Sequence, residues 1–155
     1  HEKDACGVGF VVDIKGHKSH LIVQQGLQVL ENLAHRAAQG CDPCTGDGVG
    51  ILLQVPHEFF KRVTKDVGIK LPGAGEYGVG MLFLPPDADA RKQCETVFAR
   101  VIKEEGAKLL GWRDVPVKSD AIGEVARTTE AFMRQGFNHT GILTGEGFGR
   151  RVIVL

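Results

Sequence analysis

Neither sign of charge prevails in this chain: 19 Lys and Arg stand against 19 Asp and Glu. A general nucleic-acid footprint needs a surplus of cations, so no nucleic-acid partner is expected. Long apolar runs are also missing. A bilayer span takes about 20 consecutive apolar residues, and no stretch approaches that. The opening residues do not read as a signal peptide, and no membrane partner is expected. Cysteine is scarce. Cys6, Cys41, Cys44 and Cys94 are too few and too unevenly spaced for a secreted disulfide framework, so a cytoplasmic location is expected. No internal repeat is visible, and no linker splits the chain.

What is present is ordinary globular composition: 155 residues, 43% hydrophobic and 25% charged. A chain of this length can bury about 70% of its unfolded surface as one domain. The 21 glycines imply tight turns or close backbone approaches. Arg150 to Leu155 read as a strand cut off mid-stride, so the chain is expected to be a fragment whose fold partners lie beyond Leu155.

The stretch Asp4-Ala5-Cys6-Gly7-Val8-Gly9-Phe10-Val11-Val12-Asp13 reads as a first strand over 6–14, with Val8, Phe10 and Val12 alternating with Gly7, Gly9 and Val11. The two glycines let another backbone, or a substrate, come close. A turn at 15–18 follows. Ser19 caps a predicted helix to about Ala34, with Val23, Leu27, Leu30, Leu33 and Ala34 inward and Gln24, Gln25, Gln28 and Glu31 outward. Gly26 inside that helix costs about 1 kcal/mol against alanine, which a close neighbour would explain. Residues 35–48 are loop chemistry. Val49–Val55 reads as a second strand. A helix from Pro56 to about Asp66 carries Phe59, Phe60 and Val63 inward. Tyr77–Leu84 is a third strand. Asp87 or Asp89 caps a helix to about Glu105, which Gly106 ends, with Cys94, Val97, Phe98, Val101 and Ile102 on its inner stripe. Trp112–Val117 is a short strand, residues 121–129 are ambiguous, 132–136 are strand, and Phe137–Gly141 is a loop. Strands alternating with amphipathic helices imply a sheet covered by helices, without deciding between parallel and antiparallel pairing.

Two constellations bear chemistry. A thiol of ordinary pKa, about 8.5, is mostly protonated at neutral pH and needs a base. If Cys6 were N-terminal, its own α-amine, with a pKa of about 7.7–8.0, could take the proton. His1–Ala5 stand in the way, so this reading requires cleavage between Ala5 and Cys6. Taken alone, Cys6 fits a small buried hydrophobe at a strand start better than a nucleophile. The second constellation is His35-Arg36 at a helix end. The Arg36 guanidinium could hold a carboxylate or pin the following loop. Equally, it could cap the last helix carbonyls.

Cys6-Gly7-Val8-Gly9-Phe10, Leu30-Glu31-Asn32-Leu33, His35-Arg36, Asp42-Pro43 and Thr45-Gly46-Asp47-Gly48-Val49-Gly50-Ile51-Leu52 together resemble the class II glutamine amidotransferase domain that opens glutamate synthase large subunits. Pro56-His57-Glu58-Phe59-Phe60, Tyr77-Gly78-Val79-Gly80-Met81 and Leu110-Gly111-Trp112-Arg113-Asp114-Val115-Pro116 extend the resemblance along the chain. It implies an α+β fold, the four-layer αββα sandwich of N-terminal-nucleophile hydrolases, present only as its N-terminal part. It implies a leader over residues 1–5 and the amidotransferase portion over 6–155. Cys6 would be the nucleophile that hydrolyses L-glutamine to glutamate and ammonia through a thioester. Arg36 would organise the site behind it. Ammonia would pass to 2-oxoglutarate in the full-length protein. FMN, an iron–sulfur cluster and a small NAD(P)H-oxidising subunit are implied for that protein, with no cofactor or metal in this chain. Ala37 departs from the family's usual glycine. The family's Asn-Gly oxyanion element and substrate clamp are expected beyond Leu155. Losing one oxyanion donor costs about 10²–10³ in rate, so the fragment alone is expected to be inactive.

Cys41-Asp42-Pro43-Cys44 allows a different class, a metal-binding or interaction module. No second Cys or His pair completes its ligand set. Gly145-Glu146-Gly147-Phe148-Gly149 lacks the strand-turn-helix setting of a phosphate loop and reads as a turn. His17, His20, His57 and His139 read as surface or loop residues.

Overall fold

The computed structural model describes residues 7–36, 44–46 and 48–139. The chain forms two compact units, His1–Gln54 with Lys118–Thr129, and Val55–Val117 with Glu130–Leu155.

The first unit is built on helix α1, His20–Asn32. Ser19 begins it as predicted, its hydroxyl accepting from the Ile22 amide. The turn before it also forms where predicted, with the Gly16 amide on the Asp13 carbonyl and the Lys15 amide on the Asp13 carboxylate. The packed stripe of α1 runs through Ile22, Val23, Gly26, Val29, Leu30 and Leu33, while Leu27 and Ala34 are exposed. The stripe is rotated from the predicted one because Gly26 lies on the packed face. The Ile51 side chain comes to 3.1 Å from where a Gly26 Cβ would stand, which is the close neighbour the glycine required.

Residues 7–14 and 48–55 carry no strand ladder, against the two strands predicted there. A ladder is a property of a pair, and alternation alone reports only two-sidedness. That two-sidedness is real. Gly7 and Gly9 face α1, while Val8, Phe10, Val12 and Ile14 are 67–97% exposed. Around residues 121–129, ambiguous in sequence, the chain forms a 3-10 turn over Ser119–Ala121 and a short helix α4, Glu124–Thr128. The Gly123 amide donates to the Cys44 carbonyl at 3.0 Å, and Arg127 donates to the Ser119 and Ile122 carbonyls.

The second unit holds α2 (His57–Lys65), β1 (Tyr77–Leu84), α3 (Ala88–Glu104), β2 (Lys108–Asp114) and β3 (Phe132–His139). Its sheet has the order β1-β3-β2 and is antiparallel at both pairings. Sequence left that direction open. Strand β2 starts four residues before the predicted Trp112, and a bulge between Leu109 and Gly111 shifts its register. Residues 137–139, read as loop, belong to the central strand, and Phe137 is fully buried. Loop-type residues such as Asn138 and His139 are held in a strand because β1 and β2 both pair with them.

The sheet carries a helix on each face. On one, Phe60 of α2 meets Phe137 edge-on at 5.2 Å between ring centres, within a core completed by Ile69 and Tyr77. Phe59, predicted inward, is 40% exposed and packs against Phe60 from outside. On the other face lies α3, capped by Asp87, whose carboxylate accepts from the Ala90 amide at 2.8 Å. Phe98 of α3 meets Trp112 at a tilt, 5.2 Å between ring centres, above Gly136, where a Cβ would meet both rings. Ile102 is buried, but Cys94 and Val97, assigned to the inner stripe, are exposed. Gly106, at φ +74°, ends this helix as predicted. Met81 and Phe83, on the α2 side of β1, remain 49% and 67% exposed.

Candidate active site

Cys6 lies outside the described residues, as do Ala37, Cys41 and Gly145 to Gly149. The described chain begins one residue later, at Gly7, against the C-terminal end of α1. A Cβ on Gly7 would stand 3.1–3.4 Å from three Leu33 side-chain atoms, and one on Gly9 would overlap Val29 Cγ1. Among the described residues, what approaches the two glycines is a pair of helix side chains one turn apart. Sequence reasoning missed Val29 and Leu33 in this role. The i, i+2 glycines opposite an i, i+4 apolar pair were the available signal.

Leu33 leads directly into a 3-10 turn, Ala34–Arg36, which carries the other predicted site residue. The Arg36 amide donates to the Leu33 carbonyl at 2.8 Å, and His35 Nδ1 lies 3.0 Å from the Asn32 carbonyl oxygen. Two basic residues thus follow a helix C-terminus, where backbone carbonyls favour positive charge. Arg36 is exposed and is engaged in an interaction of its own. The structure therefore brings the residue that follows Cys6 beside the residue that leads into Arg36. A groove of about 470 Å³ opens between residues 7–11, α1 and residues 50–53. Its described lining is apolar and glycine-rich, including Val8, Phe10, Ile22, Val29, Leu30 and Leu53, and among the described residues it has no side-chain donor or acceptor for a polar substrate.

Other predicted positions fall elsewhere. Cys44 is exposed, and no group of three or more His, Cys, Asp or Glu able to hold a metal occurs among the described residues. His57 opens α2, inside the helix predicted from Pro56, and is half-buried rather than on the surface: its Nδ1 lies 3.2 Å from the buried Tyr77 hydroxyl. Burial, helped by the Glu58 charge, raises the Tyr77 phenol above its usual value. His139 sits on β3 and its Nδ1 donates to the Glu76 carbonyl at 2.6 Å. Among the described residues no helix is long and apolar enough to cross a membrane.

The sequence pattern of the class-II glutamine amidotransferases matches residues 6–155, and the chain belongs to that family. Within it, the chain is similar to glutamate synthases. The large chain of the NADPH glutamate synthase of Bacillus subtilis (strain 168) is 47% identical over 88% of this chain and 9% of its own length. The NADH glutamate synthase of Schizosaccharomyces pombe is 38% identical over 87% of this chain and 6% of its own length. Ferredoxin-dependent glutamate synthase 2 of Synechocystis is 35% identical over 86% of this chain and 9% of its own length. The chain thus spans less than a tenth of the curated relatives it matches.

Proposed function

We propose that these residues are the opening, glutamine-hydrolysing part of a glutamate synthase large chain. The observation that carries the reading is where the family match begins: at Cys6, not at His1. The residues that precede Cys6 belong to a leader. Once it is removed, the free α-amine of Cys6 takes the thiol proton, and the thiolate attacks the side-chain amide of L-glutamine. The protonated amine returns that proton to the departing nitrogen, which leaves as ammonia. Water then attacks the γ-glutamyl thioester and releases glutamate. Arg36, just beyond the Leu33 on which Gly7 rests, organises the site from behind. The four-layer sandwich belongs to the same reading. Its support is the apolar surface left open on each unit, Val8, Phe10, Val12 and Ile14 on one and Met81 and Phe83 on the other, because apolar faces require a covering layer.

In the full-length cytoplasmic protein, ammonia passes to 2-oxoglutarate. Flavin and iron–sulfur chemistry, and any small NAD(P)H-oxidising subunit, belong to parts outside these residues. The test is Cys6→Ala in the full-length protein. Glutamine hydrolysis is lost while ammonia-dependent glutamate synthesis persists; retained hydrolysis would refute the reading.

A further inference from the structure

We infer that His35 is a positioning residue for Arg36: its imidazole closes the C-terminal end of α1 and so fixes the turn that carries the Arg36 guanidinium. This rests on the proposed role of Arg36 in glutamine hydrolysis. The sequence offers Arg36 either the helix carbonyls or the site. The structure puts His35 on a helix carbonyl, with its Nδ1 3.0 Å from the Asn32 oxygen. A carbonyl only accepts, so Nδ1 carries the hydrogen and donates it.

Backbone geometry explains why that carbonyl takes a side-chain donor. A continuing α-helix would give it the amide four residues on, which is that of Arg36. The Arg36 amide instead donates to the Leu33 carbonyl at 2.8 Å, as the chain tightens into the 3-10 turn Ala34–Arg36. The tightening begins one turn earlier, where the Leu33 amide is shared between the Val29 and Leu30 carbonyls, both at 3.1 Å. It takes the α-helical donor away from Asn32, and His35 supplies the replacement. Two adjacent residues, His35 and Arg36, thus bond to two adjacent carbonyls, those of Asn32 and Leu33. A turn held at two points cannot swing about either bond alone. His35 meets no reacting atom in this arrangement; it acts through the residue that follows it.

The experiment uses the full-length protein, reading kcat and KM for L-glutamine hydrolysis beside ammonia-dependent synthesis. His35→Phe keeps a ring and removes the donor. It should lower the hydrolytic kcat about 10-fold, the scale of one lost hydrogen bond, with KM and ammonia-dependent synthesis close to wild type. His35→Asn sets an amide donor the same number of bonds from Cα and should hold kcat within about threefold of wild type. In an Arg36→Ala background, His35→Phe should add less than about twofold, because the residue through which it acts is gone. A wild-type kcat in His35→Phe, a loss expressed only in KM, an Asn variant as impaired as the Phe variant, or losses that multiply in the double variant would overturn the inference. If His35→Phe does not fold, His35→Ala removes the donor without an apolar ring and is read the same way. Wild-type kinetics in Arg36→Ala would also overturn it, since nothing would be left to position. Retained hydrolysis in Cys6→Ala removes the proposed function and this inference with it. Loss of hydrolysis in both Cys6→Ala and Arg36→Ala beside an indifferent His35→Phe removes only this inference.

Discussion

The Arg134 guanidinium on β3 holds the Glu95 carboxylate of α3 at 2.5 Å, with both side chains no more than about a quarter exposed. The same guanidinium reaches Asp114 of β2 at 2.6 Å and lies 5.8 Å from the Trp112 ring centre. Burial works against its charge but is outweighed by the hydrogen bonds and charges of the two carboxylates, so its pKa is raised above the ordinary arginine value. One side chain thus ties the central strand to its neighbour and to the helix above.

The two arms should differ in worth. Glu95→Ala removes the more buried of the two carboxylates on Arg134, leaving only the exposed Asp114, and should cost roughly 2 kcal/mol, below the figure for breaking a fully buried pair. Asp114 is 62% exposed, and Asp114→Ala should cost no more than about 1 kcal/mol. Denaturant unfolding of the two variants checks this, and equal losses would contradict it.

Phe137 is the centre of the second unit's core. Phe137→Ala should destabilise that unit by about 3–5 kcal/mol. A residue in the loop once expected there would cost almost nothing, so the melting temperature distinguishes the two.

Tyr77 is the chain's single tyrosine, so phenolate absorbance reports it alone. Its pKa is raised on folding. Below about pH 10 both the folded and unfolded chains keep the proton and stability is unaffected. Above that, the unfolded chain releases it first, so the unfolded state binds fewer protons and stability falls as pH rises through the folded value. Tyr77→Phe should remove this part of the alkaline loss. Melting curves from pH 8 to 11 test it, and identical pH dependence in both proteins would refute it.

Arg36→Ala separates a site organiser from a helix cap. As an organiser, Arg36 should account for about 10²-fold in glutamine hydrolysis through orientation, with ammonia-dependent synthesis unchanged. Wild-type kinetics would leave it a cap.

The mature protein should begin at Cys6. N-terminal sequencing checks this, and a fully active protein that retains residues ahead of Cys6 would contradict the α-amine as base.

Much of this was legible in the residues, because it depends on neighbours close in sequence. Ser19 and Asp87 announce helix starts by offering an oxygen to an amide three residues on. Gly106 announces a stop because its backbone conformation favours a residue without Cβ. The ordered motifs from Cys6 onward carried the family. What sequence could not supply were the facts that need two distant segments to meet. Alternation at 7–14 reported two faces but not a partner strand. Phe137 became core only because β1 and β2 close on β3 from both sides. The stripe of α1 turned because Ile51 arrives over Gly26, and Gly9 acquired its meaning only from Val29. Local backbone chemistry is written residue by residue, whereas burial and pairing belong to whichever remote segment arrives, and that was decided by the tertiary structure.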